Sequence, residues 1–415
     1  MYRMTLTIGF VLRIVMVILF SYHYDTAGNW HNGLNIGLFD ENDAAGFHKY
    51  ASDYSKMLNQ EETVFMYEDV ITEDKRSGIG YFKMLGVLYF LTKDTRTIGN
   101  IFSVIAWLAS ALVLVRIMRL LLIHRSNQIK GMMVYALLPS SIFYTSLTLR
   151  EVFQLLLVNL LILSALKIYI HRSKFHWFAL LCFAWGLSTL HIGLFVFGIL
   201  LVLGLGGITL LFQRKNISLV KVIILFPAIL ILGLFVIKKT FLADLMPAYD
   251  NSLLQMYASQ RLTSAAGGGR TNYVEFYLMD DQERNSLNWK KFDHLKGLPP
   301  ASNYDIILQA VVSFYQYMFE PVPWKISVHY DWMILIENLL RLWLVWQTVK
   351  GLHRMPANNR KPTLFIFVAY LVLESLWALG TVTWGTASRH HIPAFGMLVV
   401  TAFSYRNHCS KAWFK

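Results

Sequence analysis

Three carboxylates fall within four residues at Asp40-Glu41-Asn42-Asp43, and the segment continues through Phe47-His48-Lys49-Tyr50-Ala51. A carboxylate held in such a loop can take the proton of an attacking hydroxyl. A second can hold a divalent cation, Mg or Mn, through hard oxygen ligands, which makes Asp40 and Asp43 the candidate metal pair. These two stand three apart, so on a helical turn they share a face. Spacing does not say which of Asp40, Glu41 and Asp43 would be the base. The same residues also suit a solvated acidic loop, and Asn42 or Asp43 ahead of Ala44-Ala45 suits a helix N-cap.

Further ionisable groups lie at breaks between apolar runs: Arg150-Glu151, His191 and Arg389-His390-His391. Arginine suits bidentate recognition of a phosphate. His390 or His391 could donate to a phosphate leaving group, and the same residues could contact lipid headgroups. Arg150 and Glu151 equally suit a tight turn, with the acid favourable at a helix N-terminus. His191 stands alone on an apolar stretch and also suits a hydrogen-bonded core position. Gly267-Gly268-Gly269-Arg270 lacks the strand and the Lys-Ser/Thr of a phosphate loop and reads as a flexible lid carrying one Arg.

What must position these groups is a membrane. The chain is 55% hydrophobic and only 15% charged, with mean hydropathy +0.45. Several runs of close to twenty residues carry few charges, enough to cross about 30 Å of hydrocarbon as helices. They are continuously apolar rather than alternating, which argues against a β-barrel. The net charge of +13 does not mark a nucleic-acid binder, because the basic residues sit in short links where they act as orientation signals. Cys182 and Cys409 form no disulfide framework. The N-terminal run ends in bulky Ser21-Tyr22-His23-Tyr24 and reads as a retained span.

The fold class expected is an all-α polytopic membrane protein of about ten spans, with both termini cytoplasmic. The spans run near Leu6–Tyr22, Ile98–Ile123, Met132–Leu147, Val152–Ile170, Trp177–Leu190, Phe195–Phe212, Leu219–Val236, Met333–Val349, Leu364–Val382 and Ile392–Tyr405. This order puts the strongly basic short links on one side and gathers Asp40, Glu41, Asp43, Arg150, Glu151, His191 and Arg389 to His391 on the other. The short apolar stretch Gly78–Leu91 reads as interfacial rather than spanning. Three regions follow: residues 1–240 with an acidic first outer loop at 23–77, a long outer segment at 241–330 with an amphipathic stretch over Tyr304–Met318, and the C-terminal spans of 331–415.

This pattern resembles the GT-C superfamily of integral-membrane glycosyltransferases, in particular the bacterial relatives of protein O-mannosyltransferases and aminoarabinose transferases. The resemblance rests on Asp40-Glu41-Asn42-Asp43 with Tyr50-Ala51, and on the interfacial stretch Tyr81–Leu91. It also rests on Leu138-Pro139-Ser140-Ser141-Ile142 with Leu149-Arg150-Glu151, and on Arg389-His390-His391-Ile392-Pro393. It covers the layout of the first 240 residues and the remainder only loosely. It implies a GT-C fold, a polyprenyl-phosphate-linked sugar donor, an active site facing outside the plasma membrane, a loop acid as catalytic base and, in some members, a divalent cation. The acceptor would be a cell-envelope glycan, lipid or protein. Two other readings stand beside it: a polymerase or ligase of lipid-linked oligosaccharide, and a lipid or oligosaccharide transporter.

Overall fold

The computed structural model describes residues 2–27, 41–59, 79–212, 303–326 and 329–404. These fold into α1 (Tyr2–Ala27), α2 (Glu41–Leu58), α3 (Ile79–Leu91), α4 (Arg96–Leu120), α5 (Arg125–Leu137), α6 (Pro139–Tyr144), α7 (Glu151–His171), α8 (Lys174–Leu190) and α9 (Ile192–Phe212). There follow α10 (Asn303–Phe319), a 3₁₀ turn (Pro323–Lys325), α11 (His329–Arg354), α12 (Ala357–Gly380), α13 (Trp384–His390) and α14 (Ile392–Ser404). Among the described residues there is no strand. Helices α1, α4, α7 and α12 are long and apolar enough to cross a membrane, and the chain is membrane-embedded.

Helix limits follow local chemistry. The Thr95 side chain accepts the Ile98 N–H and starts α4. Arg172, at φ 52°, closes α7 in the left-handed region. The span expected over Met132–Leu147 is interrupted: Leu138 is extended, Pro139 opens α6, and α6 ends at Tyr144. Proline disfavours helical backbone in the residue before it, which explains a break there. Helix α8 has 17 residues, about 26 Å at 1.5 Å per residue, at the short end of what a crossing takes. Helix α11 is 26 residues long, but buried Asp331, Glu337 and Arg341 interrupt its apolar character. The expected span Leu219–Val236 and Arg270 lie outside the described residues.

Helix α7 forms the centre, packed against α4, α8 and α14. Small and polar residues bring these helices together, as expected where lipid offers no hydrophobic incentive to associate. The Asn159 amide donates to Ser110 Oγ at 2.8 Å, and a Cβ at Gly396 would meet Asn159 at 2.5 Å. Nearly every residue of α14 is buried, although it has only 13 residues. On the outside, α1 turns Ile8, Val11, Val15 and Ile18 outward, and α11 does the same with Trp332, Ile336, Leu339 and Trp346.

Candidate functional site

The N-terminus of α7 is where separated parts of the chain meet. Glu151 begins that helix, where its carboxylate faces the positive end of the helix dipole. Its Oε1 lies 3.2 Å from Arg389 Nε and 3.9 Å from Arg150 Nε. Glu151 and Arg389 are buried, and Arg150 is nearly so. Arg389 arrives on α13, a short helix whose start is set by Thr383 accepting the Thr386 N–H. Ser388, the residue before it, holds α13 in place: the Tyr144 hydroxyl lies 2.9 Å from both Ser388 Oγ and the Tyr330 hydroxyl. Arg150 and Arg389 therefore sit on one carboxylate at one end of the bundle.

Two histidines flank the pair. His191 lies between α8 and α9, and its ring centre is 4.7 Å from that of Trp377. His390 stacks on the other partner of that contact, at 4.1 Å and 21° from Trp377. Burial pushes His191 down to about 3, reinforced by the positive charges of Arg150 and Arg389. Burial, then Arg389, His191 and Arg150, hold His390 well below the usual imidazole range. Both imidazoles are neutral at pH 7. The Thr381 hydroxyl donates to the Trp377 carbonyl at 2.7 Å, so it accepts from His390 Nδ1 at 2.8 Å.

His391 points elsewhere. Its Nε2 donates to the Tyr317 carbonyl at 3.2 Å, and its Nδ1 meets Glu374 Oε2 at 2.8 Å. Because a carbonyl only accepts, Nε2 carries a proton, and the Nδ1–Glu374 contact shares the remaining one. Both nitrogens are engaged inside the helix bundle, whereas the sequence placed His391 with the substrate groups.

Helices α2 and α3 reach the same end of the bundle. Helix α2 packs along α3, and the Arg150 guanidinium lies 5.6 Å from the centre of the Phe47 ring. Tyr81, near the start of α3, sits between Phe47, edge-on at 5.0 Å, and Phe153 of α7, tilted at 5.5 Å. Glu41 and Asp43 lie in the first turn of α2. Phe47, which meets Arg150, lies one turn further along α2. Asp40 lies outside the described residues. Among the described residues no three His, Cys, Asp or Glu side chains group as a metal ion requires.

Sequence reasoning missed four residues. Arg13, noted only as an interruption of the first span, is fully buried and fully engaged. A charge within a span is a functional or structural marker by default, so it was findable. Gln154 stands three residues after Glu151, a spacing that marks one helix face. Trp377 and Thr381 carry no sequence signal, because an aromatic or a Thr in a span is ordinary. Compared with protein families, curated proteins and solved structures, the chain matches none.

Proposed function

We propose that this chain is a GT-C-type membrane glycosyltransferase. It would move a sugar from a polyprenyl-phosphate carrier to a cell-envelope acceptor on the outer face of the plasma membrane, with about ten spans in all. The observation that carries this reading is the convergence of Arg150 and Arg389, from distant parts of the chain, on Glu151 at 3.9 and 3.2 Å. Arg150 and Arg389 bring two guanidiniums to a buried setting at one end of the bundle. That is the electrostatic requirement for a phosphate group presented at the lipid–water boundary. Phe47 against Arg150 supports bringing the acidic start of α2 to the same place.

In the step envisaged, the acceptor hydroxyl oxygen attacks the anomeric carbon. The bond from that carbon to the phosphate oxygen breaks, and polyprenyl phosphate departs beside Arg150 and Arg389. The acceptor proton passes to Asp40 or Asp43, and the configuration inverts. A positioned base of this kind contributes about 10²–10⁴-fold. A divalent cation at Asp40 and Asp43 would serve the same phosphate. A transporter would instead set its charges along a path across the membrane. Here Arg13, Glu337, Arg341 and Glu374 are each engaged by neighbouring residues.

The test is transfer of radiolabelled hexoses and pentoses from their polyprenyl phosphates to an envelope fraction, using membranes that contain the protein. Asp40→Asn or Asp43→Asn should abolish transfer with expression unchanged. If both variants remain active, the reading fails.

A further inference from the structure

The buried site leaves several polar atoms without a hydrogen-bond partner. Gln154 is 0% exposed, and neither its Oε1 nor its Nε2 has one. Glu151 Oε2 and Trp377 Nε1 share this condition, at 2% and 6% exposure. Glu151 is the point to which these groups connect. Gln154 stands one turn into α7 from Glu151, on the same helix face. Glu151 meets Arg389, the next residue is His390, and His390 stacks on Trp377. A buried polar atom left unpaired is costly, so unpaired atoms on Glu151 and on the residues connected to it are not explained by folding alone.

The unpartnered set has a distinct chemistry. Gln154 offers both donors and an acceptor, Glu151 Oε2 is an acceptor, and the Trp377 indole N–H is a donor. A phosphate only accepts when fully ionised and answers the arginines, not this mixture. A hydroxyl both donates and accepts. We propose that Gln154 is a substrate-reading residue whose amide takes a sugar hydroxyl of the molecule whose phosphate lies at Arg150 and Arg389. This rests on the phosphate reading of those arginines and adds a specificity determinant to it. The physical logic is asymmetric: a site built to pair a hydroxyl discriminates strongly against a ligand that lacks one, because its own buried groups are then stranded.

The experiment uses the full chain in lipid nanodiscs and phosphodiesters of equal charge. Farnesyl methyl phosphate carries no sugar. The comparison set carries glucose, galactose, mannose, arabinose or N-acetylglucosamine on the same farnesyl phosphate. In the unmodified protein at least one sugar diester should bind about tenfold more tightly than the methyl diester, the equivalent of one or two hydrogen bonds. In Gln154→Met that advantage should vanish, with methyl diester affinity held within about twofold, since no phosphate contact is removed. The melting temperature of ligand-free Gln154→Met should equal or exceed that of the unmodified protein, because an unpaired amide is replaced by an apolar chain of similar shape. Gln154→Leu provides the same comparison if the Met variant does not accumulate.

A sugar advantage that survives both substitutions overturns the assignment, and so does a lowered melting temperature, which would mark Gln154 as a packing residue. A methyl diester that binds as well as every sugar diester overturns the role of Gln154 while leaving the phosphate site standing. If no diester binds, the phosphate reading falls and this inference falls with it.

Discussion

The guanidinium carbon of Arg13 lies 3.6 Å from the centre of the Trp107 ring. Its Nε donates to Thr145 Oγ1 at 2.7 Å, Nη1 to the Gly9 and Ala136 carbonyls at 2.9 and 3.0 Å, and Nη2 to Ser141 Oγ at 3.0 Å. One side chain therefore joins α1 to α4, α5 and α6 through a π face and four acceptors, none of them a carboxylate. The planar fork of arginine matches this arrangement and the point charge of lysine does not. Arg13→Lys should lower the melting temperature in detergent more than Arg13→Met does. The Met variant removes the charge along with its donors, whereas each buried group left unpaired costs about 1–3 kcal/mol.

Glu151→Gln should separate stability from anion affinity. Removing this carboxylate leaves Arg150 and Arg389 facing each other without their shared partner. Breaking a buried ion pair from one side costs about 3–5 kcal/mol. The same change raises the positive charge available to a phosphate. We expect a lower melting temperature together with tighter binding of farnesyl methyl phosphate, both measured on one preparation.

Helices α2 and α3 cross closely at Gly86. A Cβ there would stand 2.8 Å from the Ala51 carbonyl oxygen and 2.8 Å from Tyr54 Cδ1. The carbonyl belongs to helix backbone and cannot turn aside, so Gly86→Ala should force the helices apart at about 1–3 kcal/mol. Hydrogen exchange of the 41–58 amides should accelerate, and sugar transfer should drop. Gly46→Ala is the control on the same helix. Its nearest neighbour would be Tyr50 at 4.0 Å, and the loss of glycine's backbone freedom should stabilise α2 by about 0.5–1 kcal/mol.

His48 makes the docking of α2 depend on pH. Its Nδ1 is 2.9 Å from the Tyr89 hydroxyl and 4.0 Å from Asp94. Burial first, then the charges of Arg96 and Lys56, outweigh Asp94 and push His48 down to about 4 from its ordinary 6.5. Between those values the unfolded chain binds a proton that the folded chain does not, so stability rises with pH there. The contribution is complete above about pH 6.5 and is lost as pH falls toward 4. Protection of the α2 amides, corrected for intrinsic exchange, should fall between pH 7 and pH 4.5. His48→Gln should flatten that dependence.

The sequence by itself determined that this chain lives in a membrane, because runs of apolar residues are a property of composition along the chain and need no partner to be read. The limits of α4, α7, α10 and α14 were likewise legible, since caps, charges and apolar runs act over a few residues. The break at Leu138-Pro139 was available in principle, but the apolar pattern continues across it and concealed it. Arg150, Glu151 and Arg389 were legible as candidates because charge at the end of a span is costly and conspicuous.

Tertiary structure alone decided which of these groups meet. Glu151 bridges Arg150 and Arg389, while His391, next in line after His390, turns to Glu374 and Tyr317 instead. Adjacent residues at the end of a helix point about 100° apart, so one faces the site and the other faces the bundle. Gln154 and Trp377 have uncharged side chains unremarkable in any span. They gained meaning only when folding removed them from water and left their polar atoms unpaired.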